Sequence, residues 1–339
     1  MYLLIQFFFI SFILSLSLFY LYKKIANKNN IVDKPDEFST HSNNIPTGSG
    51  IVIIILLLIF FSLIQFLKLY DEMKILLPNR YYLIFMSISI LGFISFYDDI
   101  KIVHPLYRLC SHLFVALISL AVFSYIDHDL FLIIPEKLFI IIFIFLFIYL
   151  INIYNFLDGS DGYLTINALT AFVAYCLTFI NEASLDLSFY LSFFMIPILL
   201  GYLVFNFPKA SLFIGDSGSI AIGYLIAYIF FVLFLNGNWN IALAIIAYPI
   251  LDVSFTIIIK MRNGNNPWER LFDYFFLRAL VAQNNNHRKI FFVTLIYNLI
   301  NLSIIIVMII FKYEILFFLS IILAIIKILL FNYMIKFRV

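Results

Sequence analysis

The sequence predicts an all-α protein that crosses a membrane about ten or eleven times. Of its 339 residues, 64% are hydrophobic and only 12% are charged, and its mean hydropathy is +1.07. A soluble domain of this size could not bury so much apolar surface. In a bilayer, long apolar segments form helices because the backbone must satisfy its own hydrogen bonds. Short polar stretches leave no room for a large soluble domain, so residues 1–339 are interpreted as one integral membrane domain.

The apolar runs predict eleven spans, each with boundaries uncertain by a few residues. The first, MYLLIQFFFISFILSLSLFYLYKK, lacks the basic start and small-residue cleavage site of a secretory signal, so we interpret it as a retained helix with its N-terminus outside. The last two are separated only by KYE, which leaves ten spans and a hairpin as an alternative. The spans after the first are predicted at about 50–67, 81–97, 106–126, 133–151, 163–180, 188–206, 219–235, 240–259, 290–311 and 314–335.

Basic residues concentrate on one side of the predicted spans. That side has Lys23, Lys24, Lys28, Lys34, Lys101, Arg108, Lys209, Lys260, Arg262, Arg270, Arg278, Arg288, Lys289, Lys336 and Arg338. The other side has Lys68, Lys74, Arg80, Lys137 and Lys312. The positive-inside rule makes the first side cytoplasmic. We therefore expect a multi-pass protein of the inner (plasma) membrane, with cytoplasmic loops at about 23–49, 98–105, 152–162, 207–218 and 260–289.

Two adjacent carboxylates end a span in FYDDIKIVHPLYR. Asp98 and Asp99 repel each other, and this repulsion raises one pKa unless a cation lies nearby. A divalent metal or a lysine would resolve it. The simpler alternative is a solvated helix end with acidic residues.

Polar residues spaced by three follow the next long apolar run, in NIYNFLDGSDGYL. If the helix continues, they lie near one face, and the following glycines permit a break and a close backbone approach to a ligand. A charge at mid-membrane costs about 2.5–3.5 kcal/mol and usually faces a cavity. Helix-end capping explains four residues in register less well. The four residues are Asn152, Asn155, Asp158 and Asp161, and the glycines are Gly159 and Gly162.

Three further stretches carry unusual polar chemistry. In FIGDSGS, Asp216 lies in a glycine-rich turn, where it could hold a hard cation. Ser217 and Ser219 could cap the next helix. The alternative is a capped turn that binds no ligand. The long loop 260–289 is rich in arginine, which fits a phosphate clamp, a positive-inside signal or a helix on anionic lipid. Asp252, in YPILDVSF, lies inside a span.

Taken in order, these stretches resemble the polyprenyl-phosphate N-acetylhexosamine-1-phosphate transferases, glycosyltransferase family 4. The resemblance covers about residues 31–290 and leaves the C-terminal helical pair at 290–336 outside it. It rests on VDKP…H…PTGSG, YDDI, NIYNFLDGSDG, FNFPKASLFIGDSGS and YPILDV. No single piece is decisive, but five in the right order on one membrane side make a specific match.

The resemblance implies a reaction at the cytoplasmic membrane face. A polyprenyl phosphate, usually undecaprenyl phosphate, attacks the β-phosphate of a UDP-N-acetylhexosamine, and UMP leaves. It implies Mg²⁺, with Mn²⁺ as an alternative. The partners expected are the UDP-sugar, the lipid phosphate and the bilayer, with no nucleic acid; a homodimer is left open.

The resemblance also implies roles for individual residues. Asp98 and Asp99 would orient or deprotonate the lipid phosphate and assist the metal, while the identity of the general base stays open. Asp216 would bind magnesium and Phe213 would stack on uracil. Residues expected to line the nucleotide and metal pocket are Asn152, Asn155, Asp158 and Asp161, with Asp158 also in a catalytic and metal-binding role. Further substrate contacts are expected from His41, Arg278 and Arg288.

The sequence departs from the family in two places. Many members carry His-x-His-His in the last large cytoplasmic loop, but FDYFFLRAL has no histidine and only His287 follows. Asp273, Arg278 or Arg288 could supply the clamp instead. NFLDGSDGY also lacks the threonine usual in the muramoyl-pentapeptide enzyme. We therefore favour an enzyme that initiates O-antigen-like polysaccharides, using GlcNAc or a related sugar, with the peptidoglycan transferase as the alternative.

Two other classes remain as alternatives. An intramembrane magnesium-dependent prenyltransferase also uses aspartate-rich motifs, but the later half of this chain has no second such repeat. An ion-coupled transporter could use the carboxylates as an ion site. The clustering of every motif at one membrane face, rather than at the midplane, disfavours it.

Overall fold

The computed structural model describes residues 2–35, 39–66, 81–101, 103–123, 135–182, 185–266 and 273–336. Five residues of the charge comparison, Lys68, Lys74, Arg80, Arg270 and Arg338, lie outside them. Within the described ranges the chain is almost entirely helical. Its helices are α1 (Tyr2–Lys28), α2 (Gly50–Phe66), α3 (Tyr81–Ile100), α4 (Pro105–Phe123), α5 (Glu136–Phe156), α6 (Tyr163–Phe179), α7 (Leu187–Asn206), α8 (Gly215–Leu235), α9 (Trp239–Arg262), α10 (Phe275–Ala282), α11 (His287–Phe311) and α12 (Phe317–Lys336).

The prediction of an all-α polytopic membrane protein is confirmed. Nine of the helices in the described ranges are long and apolar enough to cross a membrane, and α2 and α6 are shorter apolar helices. The KYE segment separates two full helices, because Lys312 adopts a left-handed conformation and a 3₁₀ turn at Glu314–Leu316 leads into α12. In the first polar loop, Val32–Asp33 and Ile45–Pro46 pair as two short antiparallel strands, β1 and β2.

Helix α8 lies at the centre of the bundle. Among the long spans in the described residues it is the most deeply enclosed. In its apolar segment 89% of the residues are buried, whereas in that of α1 only 11% are buried. Small residues let its neighbours approach closely. A Cβ on Gly223 would lie 2.7 Å from the Ile151 carbonyl oxygen of α5, and one on Gly50 would lie 1.9 Å from the Gly218 backbone nitrogen. The start of α8 is therefore fixed between α2 and α5.

Two sequence-based boundaries need correction at the polar motifs. Helix α5 ends at Phe156, so Asn152 and Asn155 are helical, but Asp158 and Asp161 lie in the turn before α6. The turn forms because Gly162 adopts a left-handed conformation at φ +68°. Helix α8 begins at Gly215, earlier than predicted, so its serines do not precede it as caps. They lie in its first turns instead.

The close approach of α2 and α8 can be tested by adding one methyl group. Gly50→Ala would place a Cβ against the backbone of Gly218, which cannot rotate away. We expect a loss of about 3 kcal/mol or more in the free energy of unfolding, the upper end of overpacking costs. Thermal unfolding in detergent measures it.

Gly237→Ala is the matched control. Its Cβ meets nothing within 4 Å, and its only penalty is the positive φ of +78°, worth about 1–2 kcal/mol. A loss for Gly50→Ala no larger than that of the control would show that the α2–α8 contact is not tightly packed.

Candidate active site

The polar segments that the sequence singles out meet at one end of the bundle. The loop before α2 contacts the loop before α8, because the backbone N–H and Oγ of Ser49 both donate to the Phe213 carbonyl, at 3.2 and 2.8 Å. Helix α1 joins them through the Tyr22 hydroxyl, which donates to the Thr47 carbonyl at 2.7 Å. The ends of α3, α5 and α7 lie at the same place, as their contacts below show.

Arg108 links two of the predicted acidic residues. One guanidinium nitrogen donates to Asp98 Oδ2 at 2.8 Å, and the other lies 2.6 Å from Asp216 Oδ2. Asp98 is further held by the Val103 N–H at 2.6 Å. An arginine fork suits such a bridge because its donors are planar and fixed. The positive charge therefore offsets part of the negative charge that these carboxylates bring to the site.

Asp99 occupies a different position from its neighbour in sequence. Its two carboxylate oxygens accept from the first amides of α8, from Asp216 N at 2.8 Å and Ser217 N at 3.1 Å. These amides have no partner within their own helix. Gly215 permits the approach, because a Cβ there would lie 2.6 Å from the Asp99 carboxylate. Asp99 thus caps α8 from another helix and positions Asp216.

Asn155 connects α5 to the same acidic group. In the amide orientation that satisfies both ends, its nitrogen donates to Ser219 Oγ at 2.7 Å and to Asp216 Oδ1 at 3.2 Å, while its oxygen accepts from Arg108 at 3.3 Å. Asn152 lies one turn earlier. Its amide donates to the Ile148 carbonyl at 2.8 Å and lies 3.4 Å from His112 Nδ1, so these contacts are with α4 and α5 rather than the acidic group.

Asp158 is half-buried and, among the described residues, its carboxylate makes no hydrogen bond or ion pair. Burial raises the pKa of its carboxyl well above the ordinary value, and the charges of Asp216, Asp99 and Asp161 raise it further. Among the described residues, no positively charged side chain pairs with this carboxylate. A cation brought by a ligand would relieve that deficit and favour the ionised form.

His287 is at the centre of a second polar cluster, which includes Asp161. Its Nδ1 is 3.1 Å from both Ser160 Oγ and the Asp161 N–H, and 3.6 Å from Asp161 Oδ1; its Nε2 is 3.3 Å from the Thr40 carbonyl. Asp161 also accepts from the Ala210 N–H at 2.9 Å. Burial raises the pKa of Asp161, whereas His287 opposes the shift. His287 was not predicted from the sequence to be part of the site.

The loop between α1 and α2 places His41 beside Phe213. The ring centroids lie 5.1 Å apart at 64°, in an edge-to-face arrangement. His41 is held by the Asn43 carbonyl at 2.8 Å and by Asp33 Oδ2 at 3.2 Å. Phe213 is half-buried, and its N–H donates to the Pro46 carbonyl at 2.8 Å. The two rings form a partly exposed aromatic surface fixed by backbone contacts.

The residues that were predicted to form a phosphate clamp do not form one cluster, because each contacts a different part of the protein. Arg288 donates to the Pro208 carbonyl at 3.1 Å, which fixes the loop between α7 and α8. Arg278, on α10, lies over the ring of Phe275 at 5.9 Å. Asp273 is paired with the buried Lys260 at 2.9 Å. Arg288 is therefore joined to the second cluster, whereas the contacts of Arg278 are local to α10.

The donor atoms fit a magnesium ion that is completed by substrate. In the described part of the chain, no three His, Cys, Asp or Glu side chains are grouped closely enough to hold an ion by themselves. Mg²⁺ is commonly held by one or two carboxylates together with substrate phosphates and water. Asp216 and Asp158 provide two carboxylates that act electrostatically on each other. They suit this mode of binding and not a closed protein cage.

Comparison with known proteins gives one matching family. Residues 81–235 match the sequence model described as glycosyl transferase family 4. This stretch includes α3 to α8 and with them Asp98, Asp99, Asp158 and Asp216.

Three relatives illustrate the similarity. The chain is 34% identical over 119 residues to phospho-N-acetylmuramoyl-pentapeptide-transferase of Streptococcus suis (strain 05ZYH33), covering 33% of this chain and 35% of the relative. It is 31% identical over 134 residues to the protein of that name from Anoxybacillus flavithermus, covering 40% of each. It is 23% identical over 243 residues to undecaprenyl-phosphate alpha-N-acetylglucosaminyl 1-phosphate transferase of Thermotoga maritima, covering 72% of this chain and 70% of the relative. The matches to the first two thus span well under half of their lengths.

The capping role of Asp99 can be tested by removing its acceptors in steps. Asp99→Ala leaves two α8 amides without a partner, and we expect a loss of about 2 kcal/mol in the free energy of unfolding. Asp99→Asn keeps one accepting oxygen, so we expect about half that loss. Thermal unfolding in detergent gives the comparison.

Asp186→Ala is the matched control for losing a cap, because Asp186 accepts from the Phe189 N–H at the start of α7, at the other end of the bundle. Parent-like stability of Asp99→Ala, together with a normal loss in the control, would contradict the role assigned to Asp99.

Proposed function

We propose that this chain, which matches the sequence model of glycosyl transferase family 4 over residues 81–235, transfers a sugar 1-phosphate from a UDP-N-acetylhexosamine to a polyprenyl phosphate. A phosphate oxygen of the lipid attacks the β-phosphorus of the nucleotide sugar and forms a new P–O bond. The bond between that phosphorus and the bridging oxygen breaks, and the electron pair leaves with UMP. The product is a lipid-linked sugar diphosphate.

One observation carries the proposal: four carboxylates and one arginine meet at the end of a membrane bundle. Asp98 and Asp216 share Arg108, Asp99 accepts from the Asp216 N–H, and the charges of Asp216 and Asp99 act on Asp158. Phosphoryl transfer requires positioning and charge neutralisation more than covalent chemistry by the protein. A site at the membrane surface also lets a lipid phosphate meet a water-soluble nucleotide.

Each residue of the candidate site is assigned a role from its position. Arg108 holds Asp98 and Asp216 in place and would attract the phosphates of both substrates. Asp99 orients α8 through its first amides. Asn155 is hydrogen-bonded to Ser219 and Asp216 and keeps this part of the pocket polar. The uracil would lie on the surface formed by His41 and Phe213. The general base is assigned to the group of Asp98, Asp99 and Asp158 and to no single member.

Asp216 and Asp158 would hold the magnesium ion. When bound, the ion would neutralise the charge that develops on the diphosphate. The Asp158 carboxylate, which no described side chain neutralises, is the group that would depend on it most. We place this site at the cytoplasmic face, because the loops that form it hold most of the lysine and arginine residues.

The donor is proposed to be UDP-GlcNAc or a related UDP-N-acetylhexosamine, as for a polysaccharide-initiating enzyme. The match with the Thermotoga maritima relative, which extends over 72% of the chain, supports this choice. A second candidate donor is UDP-N-acetylmuramoyl-pentapeptide. It is favoured by the higher local identity to the Streptococcus suis relative, 34% over 119 residues.

An assay of UMP release by the purified protein tests the proposal. With undecaprenyl phosphate, Mg²⁺ and a panel of UDP-sugars, we expect UMP and a lipid-linked sugar diphosphate from one N-acetylhexosamine donor. Turnover only with UDP-N-acetylmuramoyl-pentapeptide would establish the second candidate. Release of pyrophosphate from a prenyl diphosphate, with no UMP from any donor, would refute both and identify a prenyltransferase.

Substitution of the acidic residues tests the assignment of roles. Asp216→Asn and Asp158→Asn keep the shape of the side chain and remove the charge, so we expect kcat to fall by about 100-fold or more, the scale of losing one electrostatic contact to the transition state. Asp186→Asn, at the opposite end of the bundle, should leave kcat unchanged. Excess Mg²⁺ should partly restore a variant that has lost a metal ligand. Unchanged turnover in both variants would remove these aspartates from the reaction.

A further inference from the structure

Lys327 lies in the middle of α12, inside the apolar bundle and away from the candidate active site. Its side chain is 2% exposed, and among the described residues its Nζ has no hydrogen-bond partner. The ammonium group lies 3.5 Å from the centroid of the Tyr248 ring and 4.5 Å from that of Tyr297. Tyr163 and Phe331 complete the surround at 5.1 and 5.7 Å. Aromatic faces stabilise a cation where water is excluded.

The same tyrosine joins the lysine to a buried carboxylate. The Tyr248 hydroxyl donates to Asp252, which is completely buried one turn further along α9. Tyr163 extends the chain, because its hydroxyl donates to that of Tyr248 at 2.8 Å. Intramembrane charges are costly and are usually paired. Asp252 and Lys327 approach opposite parts of the Tyr248 side chain, so one acidic and one basic group lie on either side of it.

This group is connected directly to two segments of the candidate site. Asp252 also accepts from the Phe275 N–H at 3.0 Å, at the first turn of α10. Tyr163 is the residue after Gly162, where the turn 157–162 ends, and its ring stacks on Phe276 of α10 at 4.1 Å and 10°. Fixing Asp252 and Tyr163 therefore fixes α10 and the end of that turn relative to each other.

Helix α10 in turn contacts the turn that contains Asp158. A Cβ on Gly159 would lie 2.8 Å from Leu277 Cδ2 and 3.3 Å from its Cγ. The rings of Phe156 and Tyr274 stack at 5.5 Å on the other side of the turn. The turn thus contacts α10 at Gly159, and the residue before the turn contacts the residue before α10, so the position of the turn depends on how α10 is held.

We propose that Lys327, Tyr248 and Asp252 form an intramembrane, charge-balanced anchor that positions α10 and the turn 157–162 for catalysis. The three are positioning residues, because they act through Phe275 and Tyr163 and contact no reacting group. The catalytic part of this inference rests on the proposed function, whereas the anchoring part is independent of it.

Cross-linking measures the anchor without any assay of activity. Cysteines at Gly159 and Leu277, in a background with Cys110→Ser and Cys176→Ala, should form a disulfide rapidly under mild oxidation. Lys327→Met keeps the length of the side chain and leaves Asp252 without its counter-charge. We expect its cross-linking rate to fall by about tenfold, equivalent to about 1.4 kcal/mol of docking free energy. Lys336→Met, at the exposed end of α12, is the matched control and should cross-link at the parent rate.

A double variant separates charge balance from packing. Asp252→Asn keeps an oxygen for the Phe275 N–H, so Asp252→Asn combined with Lys327→Met should recover cross-linking to within about twofold of the parent. Tyr248→Phe, which keeps the ring and removes the linking hydroxyl, should slow cross-linking as Lys327→Met does; it decides the question if the lysine variant does not fold. Parent-like rates in the single variants, or no recovery in the double variant, would overturn the proposal.

Activity of the same variants, with Gly159 and Leu277 intact, tests the link to catalysis. Turnover per folded molecule of Lys327→Met should fall by roughly 10- to 100-fold, as expected for a small misplacement of reacting groups, and the double variant should recover most of it. Slowed cross-linking with normal turnover would overturn the catalytic part. Absence of UMP release by the parent chain would refute the proposed function and leave the cross-linking result to decide the anchor.

Discussion

The end of the bundle that holds the polar motifs depends on how the first amides of α8 are satisfied. A helix that begins inside a protein leaves N–H groups without partners and a partial positive charge at its start. Asp99 meets both needs at once, because its two oxygens accept from Asp216 N and Ser217 N. Gly50 and Gly215 allow the surrounding backbone to come close enough. The contacts of Asp216 with Arg108 and Asn155 therefore depend on the position that this cap gives to the start of α8.

Using a carboxylate to cap α8 has a consequence for the charge of the site. The cap leaves Asp216 beside Asp99, and Asp158 comes close to both, so like charges accumulate in a partly buried place. Arg108 contacts both Asp98 and Asp216, and its single positive charge offsets part of the negative charge. The remaining deficit of positive charge falls on Asp158. A site with this imbalance attracts cations, and under the proposed function the cation would be one bound to the diphosphate of the donor.

The sequence predicted the spans well, because long apolar runs between polar stretches have few alternatives in a bilayer. It also predicted that the polar motifs share one end, which the contacts of Asp99, Asn155 and Phe213 confirm. It could not predict Arg108 as the bridge or His287 as the centre of the second cluster. Both act on partners that are distant in sequence, and no local spacing signals such a pair.

The register of the central motif was only half predictable. Spacing by three residues suggested one helical face for all four polar residues, and it holds for Asn152 and Asn155. Beyond Phe156 the chain turns, because Gly162 takes a left-handed conformation that other residues rarely adopt. The glycines that were expected to permit a break therefore determine where Asp158 and Asp161 lie. They direct one toward the acidic group and the other toward His287.

Under the proposed function, specificity for one sugar donor would come from residues other than the acidic group and Arg108. Under the proposed function, the acidic group and Arg108 would recognise features common to all nucleotide diphosphates and would not distinguish one sugar from another. Helix α10 is held at both ends, by Asp252 at the Phe275 N–H and by Gln283, whose side chain donates to the Met334 carbonyl at 2.9 Å. Its side chains are therefore presented to the turn 157–162 as a fixed surface. Under the proposed function, we expect discrimination between sugars to depend on which side chains α10 carries, and in FFLRALVA none of these is a histidine.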